Sequence, residues 1–258
     1  MTYTSSEMMT VAAARALSSD DVCFVGIGLP SAACNLARLT HAPGLTLVYE
    51  SGTLETKPRV LPLSIGDGEL CETALSTVPV AEMFQYWLQG GRITVGFLGG
   101  AQVDRFGNLN STVIGDYARP KVRLPGSGGA TEIATGCHRI YIVMRHNPRT
   151  FVDRLDFMTT LGHGRTGRER ARLGLESRGP TLIVTDLCTM RLEPDTNEFF
   201  VASLHPGVGA QQVRENTGWQ VRFFDDVVET PAPTDDELRT LRDLQERTAR
   251  AHGRTVGD

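Results

Sequence analysis

The pattern that most constrains this chain is a repeated one, in which short apolar runs stop at glycine. Val22-Cys23-Phe24-Val25 runs into Gly26-Ile27-Gly28-Leu29-Pro30, and Leu45-Thr46-Leu47-Val48 runs into Tyr49-Glu50-Ser51-Gly52. Ile93-Thr94-Val95-Gly96-Phe97-Leu98 runs into Gly99-Gly100. Runs this short and this apolar are buried strands. Further strands are expected at Arg139–Met144, Thr181–Thr185, Asn197–Ala202 and Gly218–Phe223. Helical spacing separates them. A first helix is expected from Glu7 to Leu17 with Ser5 or Ser6 as its cap, then Ala32–Leu39, Val80–Leu88 and Ala210–Thr217. A last helix begins at Thr234, carries Asp235, Asp236 and Glu237 in its first turn, and repeats Leu238, Leu241 and Leu244 on one face. Alternating strands and helices predict an α/β fold: a single domain over residues 1–258, with a mostly parallel sheet, flanking helices and a C-terminal helix at about 234–251.

Composition narrows the function. A formal charge of −4 leaves no basic field for nucleic acid and no polybasic stretch for a membrane surface. The cysteines Cys23, Cys34, Cys71, Cys137 and Cys188 are scattered with no CxxC pair, which points to reduced thiols rather than a disulfide framework or a metal site. Met1–Thr10 lacks an apolar core segment, so no secretory signal is expected, and the protein is read as soluble and cytoplasmic.

The glycine turns are where chemistry is expected. In open α/β sheets ligands bind beyond the carboxyl ends of the strands, and Glu50 stands at such an end. From that stretch alone, a solvated loop residue after a strand is the favoured reading of Glu50, and the rest of the chain is what turns it towards chemistry. Gly26-Ile27-Gly28 leads into a helix N-terminus, an arrangement that suits anions but lacks the third glycine of a dinucleotide fingerprint. Gly126-Ser127-Gly128-Gly129 opens another helix and suits an oxyanion hole or a phosphate cradle, without the lysine of a P-loop. Gln102, Asn108 and Asn110 surround a turn at Phe106-Gly107-Asn108; they suit recognition of a carbonyl- or amide-bearing ligand, or they build a polar hairpin. Arg165, Arg168, Arg170 and Arg172 form either a solvated segment or a diphosphate contact. One strand-end carboxylate among N–H-rich loops, with no metal cluster, suits a carboxylate nucleophile acting on a thioester.

These residues together resemble the B (beta) subunits of family I CoA-transferases over essentially the whole chain. The resemblance rests on Gly26–Pro30, Tyr49–Gly52, Gly100–Asn110, Gly126–Gly129 and Leu204-His205-Pro206-Gly207-Val208. It implies a ping-pong transfer of CoA from succinyl-CoA to 3-oxoadipate in aromatic catabolism, through a glutamyl–CoA thioester on Glu50. It further implies backbone oxyanion donors at Gly26, Gly28, Gly128 and Gly129, and CoA contacts at Gln102, Asn108 and Asn110. A CoA-transferase A (alpha) subunit is the implied partner, in an A2B2 heterotetramer, with the CoA thioester as substrate and no permanently bound cofactor or metal. Many members carry Ser-Glu-Asn-Gly where this chain has Tyr49-Glu50-Ser51-Gly52, and Asp-Phe where it has Glu132-Ile133. These departures leave a glutaconate-type transferase, a ring-cleaving CoA-thioester hydrolase and a non-catalytic acyl-CoA-binding chain as alternatives. Arg105, Arg119, Arg123 and His163 are candidates for holding the second carboxylate of the acid.

Overall fold

The computed structural model describes residues 2–253; residue 1 and residues 254–258, the outer ends of the expected domain, lie outside the described residues. The chain begins α1 (Ser5–Arg15), β1 (Val22–Val25), α2 (Leu29–Leu39), β2 (Thr46–Tyr49) and β3 (Thr53–Leu54). It continues α3 (Gly68–Glu72), β4 (Ser76–Thr77), α4 (Val80–Glu82) and β5 (Val95–Leu98). Next come β6 (Gln102–Val103), β7 (Leu109–Asn110), β8 (Val113–Gly115), β9 (Pro120–Arg123), α5 (Ala130–Gly136) and β10 (Arg139–Val143). The remainder is α6 (Glu169–Arg172), β11 (Gly179–Val184), β12 (Cys188–Leu192), β13 (Phe199–Leu204), α7 (Ala210–Glu215), β14 (Phe223–Glu229) and α8 (Asp235–Ala251). The described residues form two compact units, one running to Phe97 and resuming at Ala232, the other spanning Leu98–Pro231.

In the first unit the strands stand in the order β5-β1-β2-β3-β4. β1 pairs in parallel with β2 and with β5, and β3 and β4 extend the edge antiparallel. The chain leaves β1 for β2 on one side and returns as β5 on the other, so the turn after β1 stands at a reversal of strand order, where α/β sheets place their ligands. Cys23, Phe24, Val25, Leu47, Val48 and Tyr49 are all buried, as expected of strands covered on both faces. α8 buries the expected Leu238, Leu241 and Leu244. It is also joined to α1 by two charged pairs, Arg15 with Glu237 and Arg242 with Glu7, each as close as 2.6 Å. Arg242 holds the Glu7 carboxyl below the usual carboxylate range.

In the second unit the order is β14-β13-β12-β11-β10, with β10–β11 and β13–β14 parallel and β12 antiparallel to both its neighbours. The antiparallel strand β12 thus stands in the middle of this unit, with a parallel pair on each side of it. No helix among the described residues is long and apolar enough to cross a membrane.

Several boundaries differ from the sequence expectation for identifiable reasons. α1 is capped by Thr4, not Ser5 or Ser6, because Thr4 and Glu7 exchange side-chain-to-backbone hydrogen bonds as a capping box. α2 starts three residues early, at Leu29, because Pro30 is tolerated in a first helical turn, where its missing N–H costs nothing. The expected helix Val80–Leu88 is α4 followed by a π-helical turn over Met83–Leu88. The last strand begins where the expected one ended: Trp219 and Val221 are buried outside any strand, and β14 runs from Phe223 to Glu229.

Candidate active site

Glu50 occupies a tight turn between β2 and β3. The Gly52 N–H donates to the Tyr49 carbonyl at 2.9 Å, closing the turn and leaving Glu50 at its crest. Gly52 has φ +101°, and a Cβ there would run into the Val78 carbonyl oxygen, whose own residue donates its N–H to the Gly52 carbonyl at 2.9 Å. Only glycine fits this position, because backbone approaches it from the far side and φ is positive. Glu50 is half-buried, and its carboxylate has no hydrogen-bond or ion-pair partner among the described residues.

The glycine turn after β1 lies at the same level. Val25 and Tyr49 are register partners in the parallel pair, so Gly26 and Glu50 leave neighbouring strands side by side. Gly28 takes φ +84° and caps α2 without a side-chain hydrogen bond. The N–H groups of Ile27 and Gly28 make no hydrogen bond among the described residues. A carboxylate thus stands beside unspent donors at the positive end of an 11-residue helix, where negative charge is stabilised.

The second unit holds the other candidates. Gly128, with φ +49°, and Gly129 precede α5, and their N–H groups likewise donate to nothing among the described residues. Gln102, Asn108 and Asn110 are drawn together around the β6–β7 hairpin, yet all three are buried and their amides are occupied. Asn108 Nδ2 donates to Asp104 Oδ2 at 2.8 Å and to the Gly164 carbonyl at 2.9 Å, and its Oδ1 accepts from Gly162 and Gly164. Asn110 Nδ2 donates to Gln102 Oε1 at 2.8 Å and to the Val113 carbonyl at 2.7 Å. Gln102 Nε2 donates to Asp156 at 3.1 Å. In this structure the three amides are hydrogen-bonded to the hairpin and its neighbours. Burial pushes the Asp104 carboxyl up in spite of the Asn108 hydrogen bonds.

The cationic candidates also divide. Arg105 pairs with Asp153, Arg123 lies over the Tyr117 ring, and the Arg119 side chain has no partner among the described residues. His163 is buried and donates Nε2–H to the Pro180 carbonyl at 2.8 Å; burial holds its pKa down. In the arginine run, Arg170 is buried and spends its donors on the Ser177, Leu161, Gly162 and Ala134 carbonyls, with burial pulling it down to about 10. It is a structural pin, unlike exposed Arg165 and Arg168. One contact of the first unit escaped the sequence reading: the hydroxyls of Ser31 and Tyr49 meet at 2.8 Å beside the Glu50 turn. A serine in a helix and a tyrosine in a strand carry no local signal of such a meeting.

The coenzyme A transferase family model matches residues 6–216. The chain is 62% identical over 256 residues to the beta subunit of 3-oxoadipate CoA-transferase from Pseudomonas knackmussii, covering 99% of this chain and 98% of that protein. It is 36% identical over 249 residues to the beta subunit of glutaconate CoA-transferase from Acidaminococcus fermentans, covering 93% and 92%. The crystal structure of glutaconate coenzyme A-transferase from A. fermentans superposes with a TM-score of 0.87 at 34% identity, over 93% of this chain and 94% of that one. Strand order, the Glu50 turn and sequence identity along nearly the whole chain lead to one conclusion: the chain belongs to the coenzyme A transferase family.

Proposed function

We propose that this chain is the beta subunit of an enzyme that moves CoA from succinyl-CoA to 3-oxoadipate, as a step in aromatic catabolism. The observation that carries the reading is the 62% identity, end to end, to the beta subunit of a 3-oxoadipate CoA-transferase. The Glu50 turn supplies its chemistry. The Glu50 carboxylate attacks the thioester carbonyl; the carbonyl π electrons move to oxygen, and the Ile27 and Gly28 N–H groups stabilise that oxyanion. Collapse expels CoA thiolate and leaves a mixed anhydride on Glu50. The thiolate then attacks the glutamyl carbonyl, freeing succinate and forming the glutamyl–CoA thioester. 3-Oxoadipate attacks that thioester and, by the reverse sequence, leaves as its CoA thioester while Glu50 is regenerated. Gly128 and Gly129 are proposed as the second set of oxyanion donors, supported by their free N–H groups.

The partner in this reading is a CoA-transferase alpha subunit, and the assembly is A2B2 in the cytoplasm. The occupied amides of Gln102, Asn108 and Asn110 support a scaffolding role, in which they shape the hairpin near which the CoA chain passes.

Co-expression with the alpha subunit, followed by succinyl-CoA and borohydride, tests the reading. A reduced residue located by mass spectrometry at Glu50 is the expected result, with 3-oxoadipate the preferred acceptor in a panel of dicarboxylic acids. Turnover without any Glu50 adduct overturns the mechanism, and preference for glutaconate overturns the substrate. Release of free CoA with no acceptor present identifies a hydrolase instead.

A further inference from the structure

The carboxyl end of β2 is tied to α2 by a buried polar chain that the transfer chemistry does not itself use. The Tyr49 and Ser31 hydroxyls lie 2.8 Å apart, and both residues are fully buried. Asn35 Nδ2 donates to the Ser31 carbonyl at 2.9 Å, while Arg38 Nη2 donates to Asn35 Oδ1 and to the Pro58 carbonyl, each at 3.0 Å. Ser31, Asn35 and Arg38 recur at helical spacing and share one face of α2. That face therefore grips the Glu50 segment on both sides, at Tyr49 before it and at Pro58 beyond it. Burial also pushes the Tyr49 phenol up, so its hydroxyl stays neutral.

The position of the hydroxyl pair gives it a consequence for the reaction. Tyr49 is the residue before Glu50, and Ser31 lies in the first turn of α2, next to Pro30 and the glycine turn. One hydrogen bond therefore couples the backbone that carries the carboxylate to the backbone that carries the free N–H groups. We infer that Tyr49 and Ser31 are positioning residues for acyl transfer, their hydroxyl-to-hydroxyl bond setting the separation between Glu50 and the Gly26-Ile27-Gly28 turn. The inference rests on the proposed roles of Glu50 and that turn. Reacting atoms must approach to about 3–3.5 Å, and a misplacement of about 1 Å costs on the order of a hundredfold. Releasing this tie shifts the two groups by a fraction of that distance, so a loss of about tenfold is expected.

The test uses Tyr49→Phe, Ser31→Ala and the double variant, each co-expressed with the alpha subunit. Three quantities are compared: the single-turnover rate of Glu50 labelling by acyl-CoA, steady-state kcat and KM, and the thermal midpoint. Tyr49→Phe should lower the labelling rate and kcat about tenfold with KM within about twofold of the parent. Ser31→Ala should do the same, and both single variants should lower the thermal midpoint: Tyr49→Phe leaves the buried Ser31 hydroxyl without its partner, and Ser31→Ala leaves the buried phenol with Asn35 alone. The double variant removes both polar groups, so its midpoint should return towards the parent while the tenfold rate loss persists. Recovery of kcat together with the midpoint in the double variant overturns the inference, as does a Tyr49→Phe labelling rate within twofold of the parent. Failure of the underlying mechanism looks different: the unsubstituted protein itself then shows no label on Glu50.

Discussion

Two polar, glycine-marked loops follow strands in this molecule, and they are used in opposite ways. At the Glu50 turn of the first unit, a half-buried carboxylate without a partner stands beside two N–H groups that donate to nothing among the described residues. At the β6–β7 hairpin of the second unit, three side-chain amides are buried and hydrogen-bonded within the hairpin and its neighbours. Their residue types read alike. The difference lies in hydrogen-bonding capacity: buried polar groups are almost always paired, so an amide already paired is architecture, while an unspent donor or acceptor at a strand end is available for a ligand.

Substituting Glu50 probes the contrast most strongly. Glu50→Ala should lower turnover by about four orders of magnitude or more, with little change in thermal stability, because a nucleophile is lost and no internal contact is broken. Near-parental rates in Glu50→Gln would place the chemistry on the partner and break the comparison. Gly52→Ala should destabilise the first unit by about 4 kcal/mol in denaturant titrations, since the new methyl meets the Val78 carbonyl at a positive φ. Asn108→Ala should cost about 3 kcal/mol, read the same way, by stripping hydrogen bonds from Asp104, Gly162 and Gly164, while KM for acyl-CoA stays near its parental value. A raised KM at unchanged stability would instead place that amide on CoA.

Acid should sharpen the contrast from another direction. The second unit buries His146 between Thr217 and Thr185 and against the Phe151 ring, and burial lowers its pKa from about 6.5 to about 4. The unfolded imidazole therefore takes up its proton at a higher pH than the folded one. Stability is full above about pH 6.5 and drains as pH falls towards 4, by about 2 kcal/mol at pH 5. His146→Gln should flatten that slope in urea titrations at pH 5 and pH 8. An equal slope in both proteins would assign the acid sensitivity to other groups.

Much of the fold was legible because its signals are local. The strand Val22–Val25, the hairpin about Phe106-Gly107-Asn108, the helix after Gly126–Gly129 and the Leu238, Leu241, Leu244 face of α8 all follow from burial period and turn residues. β12 was not expected, although Cys188-Thr189-Met190-Arg191-Leu192 alternates apolar and polar residues at the period of a half-buried strand; continuous apolar runs mark the parallel strands, whereas this one is antiparallel to β11 and β13. The buried state of Arg170 and His163 was equally hidden, since each is held by carbonyls distant in sequence.

By itself the sequence determined the alternation of strands and helices, the glycines that end them and the placing of Glu50 beyond a strand. Such features are written in residues that are neighbours along the chain. Tertiary structure alone decided that Gly26 and Glu50 leave adjacent strands at one level, that Tyr49 reaches Ser31, and that the three amides are occupied. The physical reason is that spare hydrogen-bonding capacity belongs to the surroundings of a residue, and those surroundings exist only once distant segments have packed.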